Sequence, residues 1–298
     1  MKIRLNPIVK KDLQVSARSM RLSWGLFAYE ALLTMAFLLA LIVIQENSSY
    51  FYYRETNIYS DLIYLFPVVA VVQVCIVALI VPILTASSIS GEKERQTFDI
   101  MLTTCMSPWS IVVGKVTSAV IRILFFVVGS MPIMALSFVV GGMSWGNLLL
   151  YVLAVVLLSV FSGSIGIMCS AFCKKSITAV IMSFAIYCVI YGFSFVPILI
   201  TIMMTGRSAG ESVLLLLFNP MVFFEEFFSL MMTGETLIND ISFSRKDVGF
   251  ITYHLTQSDL WVYVSAAAIL LLSVVFMLIA AWKVNPMNAR GGKKRKKG

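Results

Sequence analysis

Three polar side chains stand where hydrocarbon-like neighbours should exclude them: Glu30, Gln73 and Arg122, each inside a long apolar run. An ionisable group kept in such a place serves binding, relay or internal pairing. For Glu30 two readings stand, an acceptor for the cationic group of a bound molecule or a structural acid paired with Arg122. Arg122 lies seven residues beyond Lys115 on the same helical face, with a stem long enough to reach an interface. Phe184, Tyr187 and Tyr191 add aromatic rings to a later apolar run, either lining a path or simply packed. Cys169 and Cys173, one helical turn apart, would suit a soft metal, but the lone histidine, His254, lies far along the chain, so two membrane-facing thiols are the simpler reading. No nucleophile–base pair, metal cluster or cofactor box stands out, and there is no phosphate-cradling G-x-x-x-x-G-K-[ST] loop. The expected chemistry is binding, with no catalytic, cofactor or metal site.

The elements that would hold these residues follow from composition. Hydrophobic residues make up 59% of 298 and charged ones 13%, and mean hydropathy is +0.92. A soluble domain is nearer half apolar and a quarter charged, so the excess must face a solvent other than water. A hydrocarbon core about 30 Å thick needs roughly 20 apolar residues of helix. Six stretches qualify: Trp24–Ile44, Leu62–Leu84, Ile111–Val140, Leu148–Phe172, Ile177–Met203 and Leu260–Trp282. The expected fold is an all-α integral membrane protein with six transmembrane helices in one domain. The first run begins after some twenty mixed residues and is full length, unlike a cleaved leader.

Orientation follows from the basic residues. The 1–23 segment, the 88–108 loop with Lys115, the Lys174-Lys175 turn and the 283–298 tail fall on one side and hold most of the Lys and Arg. The other side keeps Arg54, Arg207, Arg245 and Lys246, and most of the acids. Both termini are therefore expected in the cytoplasm, with the chain in the cell inner membrane. The net charge of +8 reflects this topology. The basic tail reads as a segment for anionic lipid rather than nucleic acid. No cysteine falls in an outer loop, so no disulfide is expected there.

Residues 1–23 predict a helix capped by Asn6 with Pro7 at its first position. Leu5, Val9, Leu13, Ala17 and Met20 share one face and Lys10, Lys11, Gln14, Arg18 and Arg21 the other, the pattern of an interfacial amphipathic helix. The outer segment 205–259 contains an apolar run, Val213–Met232, interrupted by Asn219-Pro220 and Glu225-Glu226. A seventh span there would bury a carboxylate pair and move the basic tail outside, so a re-entrant or interfacial hairpin is expected. Pro67, Pro82, Pro132 and Pro197 mark places where spans bend. Ser159, Ser162, Gly163, Gly166 and Ser170 give the fourth span a small-residue face for close contact, within the subunit or between subunits.

The most specific stretch is 88–108. Phe98, Met101, Leu102 and Cys105 fall at i, i+3, i+4 and i+7, one apolar stripe of a short helix. Glu92, Glu94, Arg95 and Asp99 crowd its first half, and Ser107-Pro108 opens the next helix. Such a helix suits docking on a soluble partner, and a solvated hairpin is the plainer alternative. The loop resembles the signature of type-2 ABC exporter permeases, in which Glu-x-Glu, then Thr and a Leu-rich turn, precede Gly-Lys at the next span. Glu92, Glu94, Thr97, Met101-Leu102 and Gly114-Lys115 occupy the matching places. Gln96 stands where that family usually has Gly, and Cys105 where Pro is common.

The resemblance implies that 88–108 is a coupling helix seated in a separate cytoplasmic ABC ATPase, which would carry the ATP and Mg. Glu92, Glu94, Arg95, Phe98, Met101 and Leu102 would make that contact, the charges orienting it and the aromatic anchoring it. It further implies a second permease copy or a paralogous permease, with Gln73, Phe184, Tyr187 and Tyr191 facing the path between them. Membrane lipids complete the expected partners. Two alternatives come from other classes. An ATP-independent secondary transporter would favour paired broken helices and more buried acids than Glu30 alone. A membrane-embedded enzyme would need a catalytic constellation, and a scaffold would lack the coupling-loop pattern.

Overall fold

A computed structural model describes residues 7–18, 20–50, 65–98, 107–140, 145–205, 210–234, 238, 250–256 and 258–285. Among these the chain is helical, without strands. Its helices are α1 (Pro7–Ala17), α2 (Met20–Tyr50), α3 (Leu65–Glu94), α4 (Pro108–Gly129), α5 (Met131–Val140), α6 (Trp145–Phe172), α7 (Ser176–Phe193) and α8 (Val196–Thr205). A 3₁₀ segment, Gly210–Phe218, precedes α9 (Pro220–Thr233), α10 (Phe250–Thr256) and α11 (Leu260–Val284). Six stretches are long and apolar enough to cross a membrane: Leu22–Glu46, Leu65–Glu94, Pro108–Gly129, Trp145–Phe172, Ser176–Met204 and Leu260–Val284. They correspond one for one to the six apolar runs of the sequence. Asn6, Met101, Leu102, Cys105 and the tail beyond Asn285 lie outside the described residues.

Two of the six runs are interrupted near prolines expected to bend them. The third run, 111–140, is not one helix but two, α4 and α5, parted at Ser130. Pro132 has no N–H to donate, which costs least in the first turn of a helix, and it stands as the second residue of α5. Pro197 is likewise the second residue of α8 and starts that helix anew. Pro82, by contrast, lies inside α3, which continues through it.

The chain forms two compact units, Met1–Val81 with Gly114–Ser159 and Pro82–Val113 with Val160–Gly298. In the first, Tyr29 of α2 meets Phe126 of α4 edge-on at 5.3 Å. Phe66 of α3 meets Tyr151 of α6 at 5.5 Å. The Tyr151 hydroxyl donates to the Ala70 carbonyl at 3.3 Å. Helix α1 is fastened here by buried Val9 and by Asp12, 3.3 Å from Lys115 Nζ. Lys10, Lys11 and Gln14 are left exposed.

In the second unit α3 and α6 touch through small residues. Ser162, Gly163, Gly166 and Ser170 are buried, and a Cβ on Gly166 would run into the Thr85 side chain and approach Ala86 N to 3.1 Å. The small face of the fourth span thus serves contact within one chain. The 3₁₀ segment and α9 are bent by 94° at Asn219. Val213, Leu216, Leu217 and Val222 pack there against Trp261 of α11 and Ile238. Ser265 Oγ donates to the Leu217 carbonyl at 2.9 Å. Of the two adjoining acids, Glu225 is exposed, while Glu226 is buried and accepts from Ile238 N at 3.1 Å.

Replacing Gly166 by Ala should force α3 and α6 apart, at a cost of about 1–3 kcal/mol. Gly192, with nothing within 4 Å of its Cβ position, is the control. There Ala should be neutral or stabilise α7 by up to ~1 kcal/mol. Thermal unfolding in detergent checks both, and a Gly166→Ala melt no lower than that of Gly192→Ala would rule the close contact out.

Candidate functional site

The charged end of α3 is where the sequence motif meets the rest of the chain. The helix stops at Glu94 in a Schellman motif. Thr97 N donates to the Glu92 carbonyl at 3.0 Å and Gln96 N to the Lys93 carbonyl at 3.2 Å. Thr97 Oγ1 adds a 3.3 Å bond to the Glu92 carbonyl. Such a stop needs one residue in the left-handed region, and that residue is Gln96, at φ 57°. Gly, which the resemblance of this loop implies here, would enter this region without a Cβ penalty.

Lys93 and Glu94, consecutive and opposite in charge, hold the turn between α6 and α7. Lys93 Nζ donates to the carbonyls of Ser170, Ala171 and Cys173 at 3.1, 2.6 and 3.2 Å. Its three protons thereby meet three carbonyls at the C-terminus of α6, where a cation also suits the helix dipole. The Glu94 carboxylate accepts from Ser176 N at 3.1 Å and Ser176 Oγ at 2.7 Å. Lys175, the N-cap of α7, makes no side-chain cap bond, so the carboxylate from α3 does that work. A Cβ at Gly91 would meet Ser176 Oγ at 3.5 Å, an ordinary contact. One turn earlier, Ser170 Oγ accepts from Ile89 N at 2.9 Å and Ser90 N at 2.8 Å.

Of the residues expected to meet a partner, Arg95 is exposed and Glu92 and Phe98 are half-buried. Lys93 Nζ sits 5.6 Å from the centre of the Phe98 ring. Met101 and Leu102 lie outside the described residues. Glu94 is engaged within the chain. Beyond the loop, Ser107 Oγ accepts from Ser110 N at 3.2 Å and caps α4.

The polar residues of the spans fall into two groups, one in each unit. In the first, Gln73 is fully buried, and its Nε2 donates to Ser130 Oγ at 3.2 Å, at the break between α4 and α5. Tyr29 OH reaches the same oxygen at 3.4 Å. Glu30 lies beside this group, its Oε1 2.9 Å from the Cβ position of Gly129. It is not paired with Arg122, whose Nε donates to the Ser118 carbonyl at 3.2 Å on its own helix. That stretch of α4 faces α1, whose Asp12 is held by Lys115 one face-turn earlier. In the second unit Tyr187 and Tyr191 stack at 5.6 Å, with Phe184 6.4 Å from Tyr187. Asn219 Nδ2 donates to the Tyr191 carbonyl at 3.1 Å and to Ser194 Oγ at 2.8 Å. Its Oδ1 accepts from Met221 N at 2.9 Å and caps α9. Sequence reasoning missed Tyr29, Ser130, Lys93 and Ser176. The pair Gly129-Ser130 just before Pro132 was the one signal available.

Gln96→Gly should raise the melting temperature, because a non-glycine residue in the left-handed region carries roughly 1–2 kcal/mol of strain. Gln96→Val should lower it. Equal melting of the two variants would mean that the α3 stop does not depend on this conformation.

Residues 16–283 match the family described as ABC-2 family transporter protein. No curated protein matches the sequence. The matched family is a permease domain rather than a catalytic one, and it works with an ATP-binding subunit. With six apolar helices and a family match over almost its whole length, this chain belongs to the ABC-2 transporter family and is a multi-pass membrane permease component.

Proposed function

We propose that the chain is the permease subunit of an ABC exporter in the cell inner membrane, with both termini and the 88–108 loop in the cytoplasm. A separate ABC ATPase, which carries ATP and Mg, seats this loop and drives it. A second permease copy or a paralogous permease completes the path. Helix α1 lies in the cytoplasmic interface, and the bent pair 210–233 is a re-entrant hairpin on the far side. The outward direction follows from the resemblance of the 88–108 motif to exporter permeases.

The observation that carries the coupling is the fastening of α3 to the α6–α7 turn through Lys93 and Glu94. A push on the residues that follow Glu94 is delivered to the ends of spans four and five rather than absorbed by a slack loop. The same geometry divides the motif by task. Glu94 holds the turn, while Glu92, Arg95, Phe98, Met101 and Leu102 are the residues proposed to meet the ATPase. Glu30, Gln73, Arg122, Phe184, Tyr187 and Tyr191 remain the proposed path residues.

Co-purification with the ATP-binding subunit, followed by ATP hydrolysis, tests this division. Phe98→Ala should reduce recovery of the complex about ten-fold, the effect of losing an interface anchor. Glu94→Gln should leave recovery intact and weaken the coupling of hydrolysis to transport. Undiminished complex and coupled hydrolysis in a Glu92, Glu94 and Phe98 triple replacement would end the coupling assignment.

A further inference from the structure

Helix α1 packs its apolar side on the chain itself. Val9 is buried, Leu13 is half-buried, and Asp12 lies 3.3 Å from Lys115 Nζ. An amphipathic helix ordinarily holds a membrane by sinking that apolar side into it. With the side already covered, what α1 offers to its surroundings is the opposite face. Lys10, Gln14 and Arg18 follow one another there at four-residue spacing, with Lys11 and Val15 alongside. All five are exposed, and the Asp12–Lys115 pair fixes which way they turn.

These side chains surround an open hollow of about 310 Å³, lined by Lys10, Lys11, Gln14, Val15 and Arg18. The lining brings together three cations, an amide and one apolar edge, while the acid of α1, Asp12, is turned to Lys115. Ammonium and guanidinium groups around one hollow suit a phosphate, which accepts at several oxygens. Position says which phosphate. Arg18 stands four residues before Leu22–Glu46, the first stretch able to cross a membrane. Trp24 and Phe27, at the start of that stretch, are exposed aromatics of the kind that mark the headgroup belt. A basic hollow held at that boundary meets a phosphate borne by a lipid.

We propose that Lys10, Lys11, Gln14 and Arg18 bind the phosphate headgroup of an anionic phospholipid in the cytoplasmic leaflet. Arg18 and the two lysines donate to the phosphate oxygens, Gln14 donates from its amide, and Val15 lies against the glycerol stem. The contact is made by charge rather than by insertion of α1, so it selects anionic over zwitterionic lipid. It rests on the reading that α1 lies in the cytoplasmic interface and names what the helix binds there.

The test uses the full chain in neutral detergent, with the tail cations Lys293, Lys294, Arg295, Lys296 and Lys297 replaced by Gln so that they do not contribute. Phosphatidylglycerol is titrated in and its affinity read by thermophoresis. Adding Lys10→Gln, Lys11→Gln and Arg18→Gln should weaken binding on the order of a hundred-fold, about five-fold per cation. Phosphatidylcholine should not distinguish the two chains. Undiminished phosphatidylglycerol binding in the triple variant overturns the site. Millimolar inorganic phosphate should leave the lipid in place, and displacement overturns the lipid as occupant. A triple variant that keeps the lipid and loses the ATP-binding subunit assigns the face to that protein and overturns the proposal too. Should the triple variant fail to fold, Arg18→Gln alone carries the test, with about a five-fold loss expected and an unchanged affinity fatal. Quenching of Trp24 by phosphatidylcholine brominated near its glycerol, in nanodiscs and taken against Trp24→Phe, tests the interface reading separately. Trp24 quenched with lipid affinity unmoved rejects the headgroup site alone, whereas absent quenching rejects the interface reading and the site with it.

Discussion

Inside hydrocarbon, a backbone N–H or C=O that leaves its helix has no water to turn to, so every break or end must find a partner within the protein. In this chain side chains meet the helix ends and breaks both within the apolar runs and at the polar α6–α7 turn. Where α6 ends, Lys93 supplies three donors to its carbonyls. Where α7 begins, Glu94 supplies the acceptor that Lys175 does not. Where α7 gives way to α8, Asn219 donates to the Tyr191 carbonyl and Ser194 Oγ. Tyr29 and Gln73 converge on Ser130 where α4 gives way to α5.

The charges of the motif suit the turn they hold. A lysine and a glutamate in succession match the opposite dipole ends of two helices that meet at one tight turn. The Schellman stop at Gln96 turns the chain away directly after the clamp, so the following residues leave a fixed point. The family match makes this a transporter permease component, and the clamp is the geometry on which the proposed coupling rests.

Much of the fold was legible because length and hydropathy carry it. A run of twenty apolar residues has one structural outcome, and all six runs became helices. Two of the runs are interrupted locally. Ser130 and Pro132 divide a run whose composition never changes, so hydropathy could not see the break while proline chemistry could. The site was less legible because its pairings are long-range. Glu94 meets Ser176 across 82 residues and Gln73 meets Ser130 across 57, and no local pattern announces either. Arg122 and Glu30, two opposite charges in apolar runs, invited pairing, yet a backbone carbonyl four residues back satisfies the guanidinium instead. At Gln96 a residue with a side chain takes the left-handed conformation that glycine would favour.

The most direct test of the clamp is amide hydrogen exchange at Ser176. A first-turn N–H has no acceptor within its own helix, so its protection reports the Glu94 carboxylate alone. The clamp predicts slow exchange at Ser176 in the unaltered chain and marked acceleration in Glu94→Ala, with the amides of mid-α7 unchanged. Exchange at Ser176 as fast as in an unstructured segment, in the unaltered chain, would contradict it.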